Sequence, residues 1–391
     1  MIRKRLIIIV GVIVIFAGVG VSVIMVNKYP SNYIYEFDGF DEHLDSIEDI
    51  YRYDKHIYAV VRSGKMTSNG LLNNEYRYNL ILSKIDSEDT VIDTITFSEI
   101  DNNETSIKAI STYRYNELLY LNVMTGDEMY LIIYNCDTNI YEIEEIDLYM
   151  YSFIVDSDKL YGYKIIDTPV EGTGNYYHDY LVMYYELNSN LEIQYEEEVL
   201  SLLDSEYLPN PVLSNNFLAI TGAINDEYNR CDYILYDVTT YQTEVIRDVS
   251  CDNREFGSVD SSEFVSIDNV LYRLTYVFNS EEYFDLSIYN LEGTLLNTIS
   301  NPEEQFMFID QRTGYMLVYR EDSSNYNKVK LQNIFTSEIV EYEFDVRTFL
   351  SNVYIFEEEV YLVVGFKEST LDMVANRYNE YYIIHENLTI E

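Results

Sequence analysis

The feature that most constrains the fold is a strand pattern that recurs about every fifty residues. Each unit begins with an aromatic and aliphatic run, continues through a polar turn, and ends in a run with alternating acids. The recurring runs begin at Tyr78, Met129, Asp179, Asp232, Phe284, Lys328 and Glu380, at spacings of 44 to 53 residues. Periods of this size indicate a repeat architecture, and no long 3.6-residue periodicity competes with it beyond the N-terminal apolar run.

Four short strands fit into each repeat. One unit reads EFVSID, NVLYRLTYVF, FDLSIYNL and GTLLNTIS, and the next reads QFMFID, GYMLVYRE, KVKLQNIF and SEIVEYEF. Four-stranded units of this length are typical of propeller blades. The last unit supplies only RTFLSNVYIF, EEVYLVVGF and NEYYIIHEN, and the segment NYIYEF near the start is expected to supply its fourth strand. That pairing would close a ring of seven blades and remove its open sheet edges.

On this strand order the chain resembles the bacterial β-propeller superfamily from about Tyr33 to Glu391. The expected fold is all-β, a seven-bladed β-propeller, with a six- or eight-bladed ring or two smaller β domains as alternatives. The resemblance points to no specific family. The chain has no Trp for a WD dipeptide or a Trp-docking repeat, lacks a complete aspartate box, and has only 15 Gly. A resemblance at the level of the fold implies no function.

An apolar run precedes the repeats. Residues 6–26 are uncharged and follow the cations Arg3, Lys4 and Arg5. A helix of this length spans about 31 Å, which matches a hydrocarbon core of about 30 Å. Because the cations flank one side only, we expect a cytoplasmic tail (1–5), a transmembrane helix (6–26), a linker (27–32) and an extracytoplasmic domain (33–391) of a cell-membrane protein. The alternative is a cleaved signal peptide, although this run is longer than the usual apolar core.

The part expected outside the membrane is strongly acidic. Without the three N-terminal cations, 22 Lys and Arg stand against 68 Asp and Glu, a net charge of −46. Nucleic acid and anionic lipid surfaces would repel such a domain, and we expect neither as a partner. The same charge also serves to keep a chain with 42 Tyr in solution.

The three cysteines allow one predicted disulfide. Cys231 opens one strand and Cys251 closes the next, and a hairpin folded about Thr240 and Tyr241 brings them nearly opposite each other. A bridge fits an oxidising exterior, while two reduced buried thiols remain the alternative. Cys136 has no partner in this scheme.

No local motif for catalysis or metal binding occurs. The four histidines stand at no spacing that would put two metal ligands on one side, and no nucleophile elbow, P-loop or dinucleotide fingerprint is present. Acidic clusters lack the calcium-loop spacing. We therefore expect no metal site and no cofactor. A propeller active site assembled from loops of different blades would leave no local pattern.

The most informative positions are three long connections between second and third strands, in the first, third and seventh units. They cover residues 63–77, 167–178 and 367–377. These connections would place Lys65, Tyr176, Tyr177, His178 and Arg377 on one face of the ring. Long loops on a rigid scaffold often carry function, and aromatic groups suit partner binding. The alternative is simple insertion, with Tyr176 and Tyr177 only leading into the next strand.

The expected function is a non-catalytic binding or scaffold domain that presents propeller loops to a protein or cell-envelope partner. The alternative is an extracytoplasmic hydrolase or lyase acting on glycans or peptides through carboxylates near the ring centre, with calcium as a candidate ion. An enzyme predicts converging acids with perturbed pKa values in one deep pocket, whereas a binding module predicts an exposed aromatic patch. A third hypothesis is sensing, with any signal passed through a partner's helix.

Overall fold

The computed structural model describes most of the chain from residue 33 to residue 388. The described residues are 33–36, 43–69, 74–97, 100, 107–126, 128–156, 159–170, 177–205, 208–221, 232–247, 261–278, 284–300, 305–310, 312–319, 328–343, 348–357, 359–366 and 380–388. Within them no helix has the length and apolar character that crossing a bilayer requires. The predicted tail, transmembrane helix and linker lie outside the described residues.

The described regular structure consists of 28 strands, numbered along the chain. Blade 1 contains β2 (His43–Tyr53), β3 (His56–Asn69), β4 (Asn74–Ile85) and β5 (Val91–Thr96), and blade 2 contains β6 (Ile107–Tyr115), β7 (Leu118–Thr125), β8 (Glu128–Asn135) and β9 (Ile140–Glu145). Blade 3 contains β10 (Ser152–Asp156), β11 (Lys159–Pro169), β12 (His178–Leu187) and β13 (Ile193–Ser205), and blade 4 contains β14 (Asn210–Leu213), β15 (Phe217–Thr221), β16 (Asp232–Asp237) and β17 (Gln242–Arg247).

The remaining strands complete the ring. Blade 5 contains β18 (Ser261–Ile267), β19 (Val270–Phe278), β20 (Phe284–Tyr289) and β21 (Leu295–Ser300), and blade 6 contains β22 (Gln305–Ile309), β23 (Tyr315–Tyr319), β24 (Lys328–Asn333) and β25 (Ile339–Glu343). Blade 7 contains β26 (Thr348–Phe356), β27 (Glu359–Phe366), β28 (Glu380–Asn387) and the N-terminal β1 (Tyr33–Glu36). The seven four-stranded sheets confirm the predicted seven-bladed propeller.

Ring closure follows the predicted scheme. β1 pairs antiparallel with β28, with Tyr33 opposite Ile384 and Glu36 opposite Tyr382. The fourth strand of the last blade therefore comes from the other end of the chain. Because every other blade uses consecutive strands, this is the one blade whose sheet joins the two ends of the domain.

The burial pattern explains the strand sequences. Inner and middle strands are covered on both sides by neighbouring blades, so they read as nearly continuous apolar runs, as in β7 and β12. The outermost strands β5 and β9 are mostly exposed, and β9 carries acids on its exposed face. A continuous apolar run therefore indicates an inner or middle strand, and an interrupted run indicates an outer strand.

The described core consists of seven separate hydrophobic clusters, one at each contact between neighbouring blades. The cluster between blades 7 and 1, for example, joins Ile50 and Ala59 to Tyr361 and Ile383, all nearly inaccessible to solvent. A propeller needs this arrangement because each twisted sheet can bury its faces only against the next sheet.

Buried tyrosines connect neighbouring blades. The Tyr58 hydroxyl of blade 1 donates to the Cys136 carbonyl of blade 2 at 3.3 Å, and the Tyr163 hydroxyl of blade 3 donates to the Pro211 carbonyl of blade 4 at 2.8 Å. Each ring packs in the apolar layer while its hydroxyl satisfies a backbone acceptor of the neighbour. Burial raises the pKa of both tyrosines.

The up-and-down strand order gives the ring two different ends. The turn face carries the connections from first to second strands, such as residues 54–55, and those from third to fourth strands, such as residues 188–192. The ribbon face carries the connections from second to third strands. There β3 with β4, and β11 with β12, continue as long paired ribbons.

Candidate functional site

A cavity of about 530 Å³ opens at the centre of the ring, at the turn face. Five of the seven blades contribute to its wall. The lining residues are Glu48, Asp49, Tyr51 and Arg52 of blade 1, Thr112, Tyr113 and Arg114 of blade 2, Asp268 and Asn269 of blade 5, Asp310 and Arg312 of blade 6, and Asn352, Val353, Tyr354 and Phe356 of blade 7. Nearly all of these residues lie on innermost strands or on the turns that follow them, which is where the blades converge.

Asp49 lies at the centre of a compact hydrogen-bonded cluster in this wall. Its Oδ1 accepts the backbone N–H of Ile50 at 2.7 Å, and its Oδ2 accepts the Tyr51 hydroxyl at 2.7 Å and the Thr112 hydroxyl at 2.6 Å. The Tyr51 and Thr112 oxygens are themselves 2.6 Å apart. Two blades thus meet at one carboxyl group.

The oxygen atoms of Asp49, Tyr51 and Thr112 all lie within hydrogen-bonding distance of one another. Burial, which favours the neutral form, raises the pKa of Asp49, with Arg312 and the hydrogen bonds acting in the opposite direction. Burial, followed by the Asp49 charge, also raises the pKa of Tyr51 well above its ordinary value.

Arg312 bridges the ring from blade 6. Its Nη2 donates to Oδ1 of the buried Asp310 at 3.0 Å, and its Nη1 donates to the Ile50 carbonyl of blade 1 at 3.1 Å. The guanidinium lies over the Phe356 ring at 4.3 Å and over the Tyr354 ring at 5.1 Å. One side chain therefore joins blades 6, 7 and 1 by charge, hydrogen bond and cation–π contact.

The turn that carries Arg312 is built by Asp310 and Gly314. Asp310 Oδ2 accepts the backbone N–H of Thr313 at 2.9 Å and its hydroxyl at 2.7 Å, the usual way in which an aspartate closes a turn. Gly314 has φ +73°, and a Cβ there would lie 2.8 Å from the Phe335 ring. Only glycine fits this position without strain.

A two-residue turn brings blade 5 to the cavity. Ile267 pairs with Val270, and the intervening Asp268 and Asn269 have φ of 50° and 60°, the left-handed conformation of hairpin turns that Asp and Asn adopt readily. Asn269 and Tyr113 of blade 2 both line the cavity, and burial raises the pKa of Tyr113.

Three arginines line the cavity of a chain whose net charge is −43. Arg52 is paired with Glu359 at 3.0 Å. Arg114 donates to the Asn116 carbonyl at 2.7 Å, and none of the described carboxylates forms an ion pair with it. Arg114 is therefore the cavity cation with the most unused donor capacity.

Those sequence-predicted site residues that the structure describes lie at the other end of the ring. His178 begins β12 on the ribbon face, with its Nδ1 2.5 Å from Asp167 Oδ1 and its ring stacked on Tyr180 at 5.6 Å. Tyr177 precedes it and is partly exposed. The backbone of Lys65 lies in β3, opposite Arg77 of β4. Tyr176 and Arg377 lie outside the described residues, so the proposed grouping of all five stays a prediction.

The long connections predicted for blades 1 and 3 are mostly paired strand. Residues 63–69 and 74–77, expected within one loop, are instead paired with each other across β3 and β4. In blade 3 the pairing runs to Pro169 and His178, and the N–H of Val170 donates to the Tyr177 carbonyl at 3.0 Å. The loop prediction was wrong here, because a short polar run is compatible with a paired ribbon as well as with a loop. The blade 7 connection lies outside the described residues.

The structure describes only one of the three cysteines. Cys231 and Cys251 lie outside the described residues, so their disulfide stays a prediction. Cys136 is buried with a free thiol, and burial raises its pKa to about 11. Within the described residues, no three His, Cys, Asp or Glu side chains are grouped in a way that could hold a metal ion.

None of the residues that line the cavity was nominated from the sequence, although the alternative function placed carboxylates near the ring centre. Asp49, Thr112 and Arg312 are far apart along the chain, and each one alone looks like an ordinary polar residue at the end of a strand. The usable signal was the Asp-Asn pair at 268–269, which predicts a hairpin turn next to an innermost strand.

Comparison with known proteins supports the β-propeller fold. No protein-family description and no curated protein matches the chain. Among solved structures, it is similar to the β-propeller domain of the Trilobed protease from Pyrococcus furiosus, with 13% identity, a TM-score of 0.52, and coverage of 89% of this chain and 96% of that one.

An acylaminoacyl peptidase from Pyrococcus horikoshii is also similar, with 11% identity, a TM-score of 0.57, and coverage of 88% of this chain. The match spans only 52% of the peptidase. At such identities the likeness shows the fold alone. The protein is a diverged seven-bladed β-propeller that matches no specific family.

Proposed function

We propose that this chain is a membrane-tethered, extracytoplasmic binding or scaffold protein of the cell membrane, and that its ligand enters the central cavity of the turn face. Residues 1–5 form the cytoplasmic tail, 6–26 the transmembrane helix, 27–32 the linker and 33–391 the propeller. The partner is a protein or another component of the cell envelope.

The observation that carries the proposal is the cavity itself. About 530 Å³ is the size of an ordinary ligand site, and the wall combines seven charged side chains with hydroxyl groups and aromatic rings. Hydrogen bonds within the site hold polar groups of the wall such as Asp49 and Arg312. These side chains therefore need no rearrangement before a ligand binds. Such preorganisation favours binding because less conformational entropy is lost.

The wall favours a polar ligand with both donors and acceptors. Arg114 offers guanidinium donors, whereas Asp268 offers carboxylate acceptors. A glycan fragment or a short peptide segment has this mixed character. A polyanion does not, because it would meet the acidic rim.

A melting experiment tests the ligand site. Full-length protein in detergent is heated with calcium, with EDTA, with chitotriose and with trialanine, in wild type, Arg114→Gln and Thr168→Ala. A ligand at a hundred times its Kd stabilises the folded state by about 2.7 kcal/mol. We expect a probe that raises Tm in wild type to do so in Thr168→Ala, a ribbon-face control, and to lose most of its effect in Arg114→Gln. Loss of the shift in Thr168→Ala alone would place the site on the ribbon face.

One specific observation favours an enzyme as the second candidate. A carboxyl group with a raised pKa in a central cavity is the feature expected of a general acid, and Asp49 has it. Such an enzyme would be a hydrolase or lyase acting on glycans or peptides, with Asp49 as proton donor. In a turnover assay on both substrate classes, Asp49→Asn should reduce the rate by about 100-fold or more. Wild-type protein without turnover on either class would count against this candidate.

The tether has its own test. Replacing Val14, at the middle of the apolar run, with Arg costs roughly 2.5 to 3.5 kcal/mol for membrane insertion. We expect wild type to remain with membranes after alkaline extraction, Val14→Arg to be partly released, and external protease to digest the propeller of intact cells. Full release of wild type would overturn the tether.

A further inference from the structure

The direction in which the chain enters β1 indicates which face of the ring lies nearer the proposed membrane anchor. β28 begins at the ribbon face with Glu380 and ends at the turn face with Asn387, because it follows the connection from second to third strands. β1 is antiparallel to β28, with Tyr33 opposite Ile384 and Glu36 opposite Tyr382. The chain therefore enters β1 from the side of the turn face and leaves it towards the ribbon face.

The distance available before β1 is short. Seven residue steps separate Val26, the end of the apolar run, from Tyr33, and an extended chain covers at most about 24 Å over that length. A linker that entered from the ribbon face would have to reverse its direction immediately before β1. The direct path leads from the bilayer to the turn face.

We infer that the turn face, with its central cavity, is the face turned towards the membrane, and that the ribbons of blades 1 and 3 point away from it. The inference rests on the proposed tether at residues 6–26. It adds a geometric restriction on the ligand, which must enter the cavity from the space between the propeller and the bilayer.

The charges at the turn face agree with a gap on that side. Exposed or partly exposed acids such as Asp54, Glu88, Asp137, Glu292 and Glu338 occupy its turns. Anionic headgroups would repel this rim at distances up to roughly a Debye length, about 8 Å at physiological salt. The face would thus be held near the bilayer by the tether without lying on it.

Two labels on one blade test the orientation. A donor dye is attached through azidophenylalanine at Asn190, in the exposed turn between β12 and β13, or at Thr168, exposed on the ribbon of the same blade. Full-length protein is reconstituted in vesicles that carry an acceptor dye on the lipid headgroups. Using one blade removes differences in distance around the ring.

We expect a larger loss of donor emission from position 190 than from position 168. Equal losses, or a larger loss from position 168, would overturn the orientation while leaving the tether intact. Protein that does not float with the vesicles would instead overturn the tether, and the inference with it. Flotation and energy transfer therefore separate the two failures.

Discussion

The turn face and the ribbon face of this propeller differ in how they are built. At the turn face, short turns hold charged side chains in pairs, and Arg312 connects three blades. At the ribbon face, β11 and β12 extend past the core, so that Ile166 is 38% and Tyr177 is 37% exposed. One end is a set of fixed contacts around a cavity, and the other is a set of projecting edges.

This difference shows which kind of site each end can form. A preorganised cavity favours a small or narrow ligand that loses its water on binding, whereas a projecting ribbon favours a broad partner that adds contacts along its length. With ligand binding at the turn face, as proposed, large effects of substitution are expected there and small effects at the ribbon face.

Removing Arg312 should have the largest effect. Arg312→Leu leaves the Asp310 carboxylate, 2% exposed, without its cation, and breaking a buried pair costs about 3 to 5 kcal/mol. We expect a lower midpoint in urea unfolding and little change for Thr168→Ala at the other end. Equal stabilities of Arg312→Leu and wild type would contradict the picture of a fixed turn face.

Substitution of Gly314 should have the next largest effect. Alanine would hold a positive φ and bring its Cβ within 2.8 Å of the Phe335 ring. The left-handed conformation and the crowding together cost about 2 kcal/mol. Gly293, with φ +78° and open space around it, is the matched control, because Gly293→Ala meets the same backbone strain without the clash. The difference between the two variants in urea unfolding measures the packing at the turn face.

Asp49→Asn should change how stability depends on pH. Because the folded state binds a proton at Asp49 more tightly than the unfolded chain does, wild-type stability falls as the pH rises from the ordinary carboxyl range towards the raised pKa. The amide cannot titrate, so Asp49→Asn should gain stability relative to wild type over this range. Parallel pH profiles of the two proteins would show that folding does not raise the pKa of Asp49.

The smallest effect is expected on the ribbon face. Asp167→Asn removes the charge facing His178, but both groups are partly exposed, and surface pairs contribute about 0 to 1 kcal/mol. We expect the unfolding midpoint to stay near that of wild type. A loss as large as that of Gly314→Ala would show that the ribbon is a rigid part of the fold, and the contrast between the two faces would fail.

The fold was largely predictable because it is repeated. Seven copies of one strand order, together with the three-stranded last unit, were enough to predict β1 as the closing strand of blade 7. Extended apolar runs such as that of β12 mark middle strands, and acidic alternation such as that of β9 marks outer ones. What failed was the extent of β3 and β4, since the polar residues at their paired ends are compatible with a loop as well as with a strand.

The cavity was not predictable from the sequence. Thr112 is 63 residues from Asp49, and Arg312 is 262 residues from Ile50, whose carbonyl it contacts. Both contacts join residues of different blades. The packing of the blades around the ring brings these residues together, and the sequence does not reveal it. Long connections are visible in a sequence, whereas a site formed by short turns of several blades is not.

The most direct test of the account is photo-cross-linking of the full-length protein in its own membranes. Benzoylphenylalanine is placed at Lys55, exposed in the turn next to the cavity, or at Thr168, exposed on the ribbon face. The account predicts an adduct of one defined mass from position 55, reduced by Arg114→Gln, and none from position 168. An adduct from position 168 alone, or from neither position, would contradict ligand binding at the turn face.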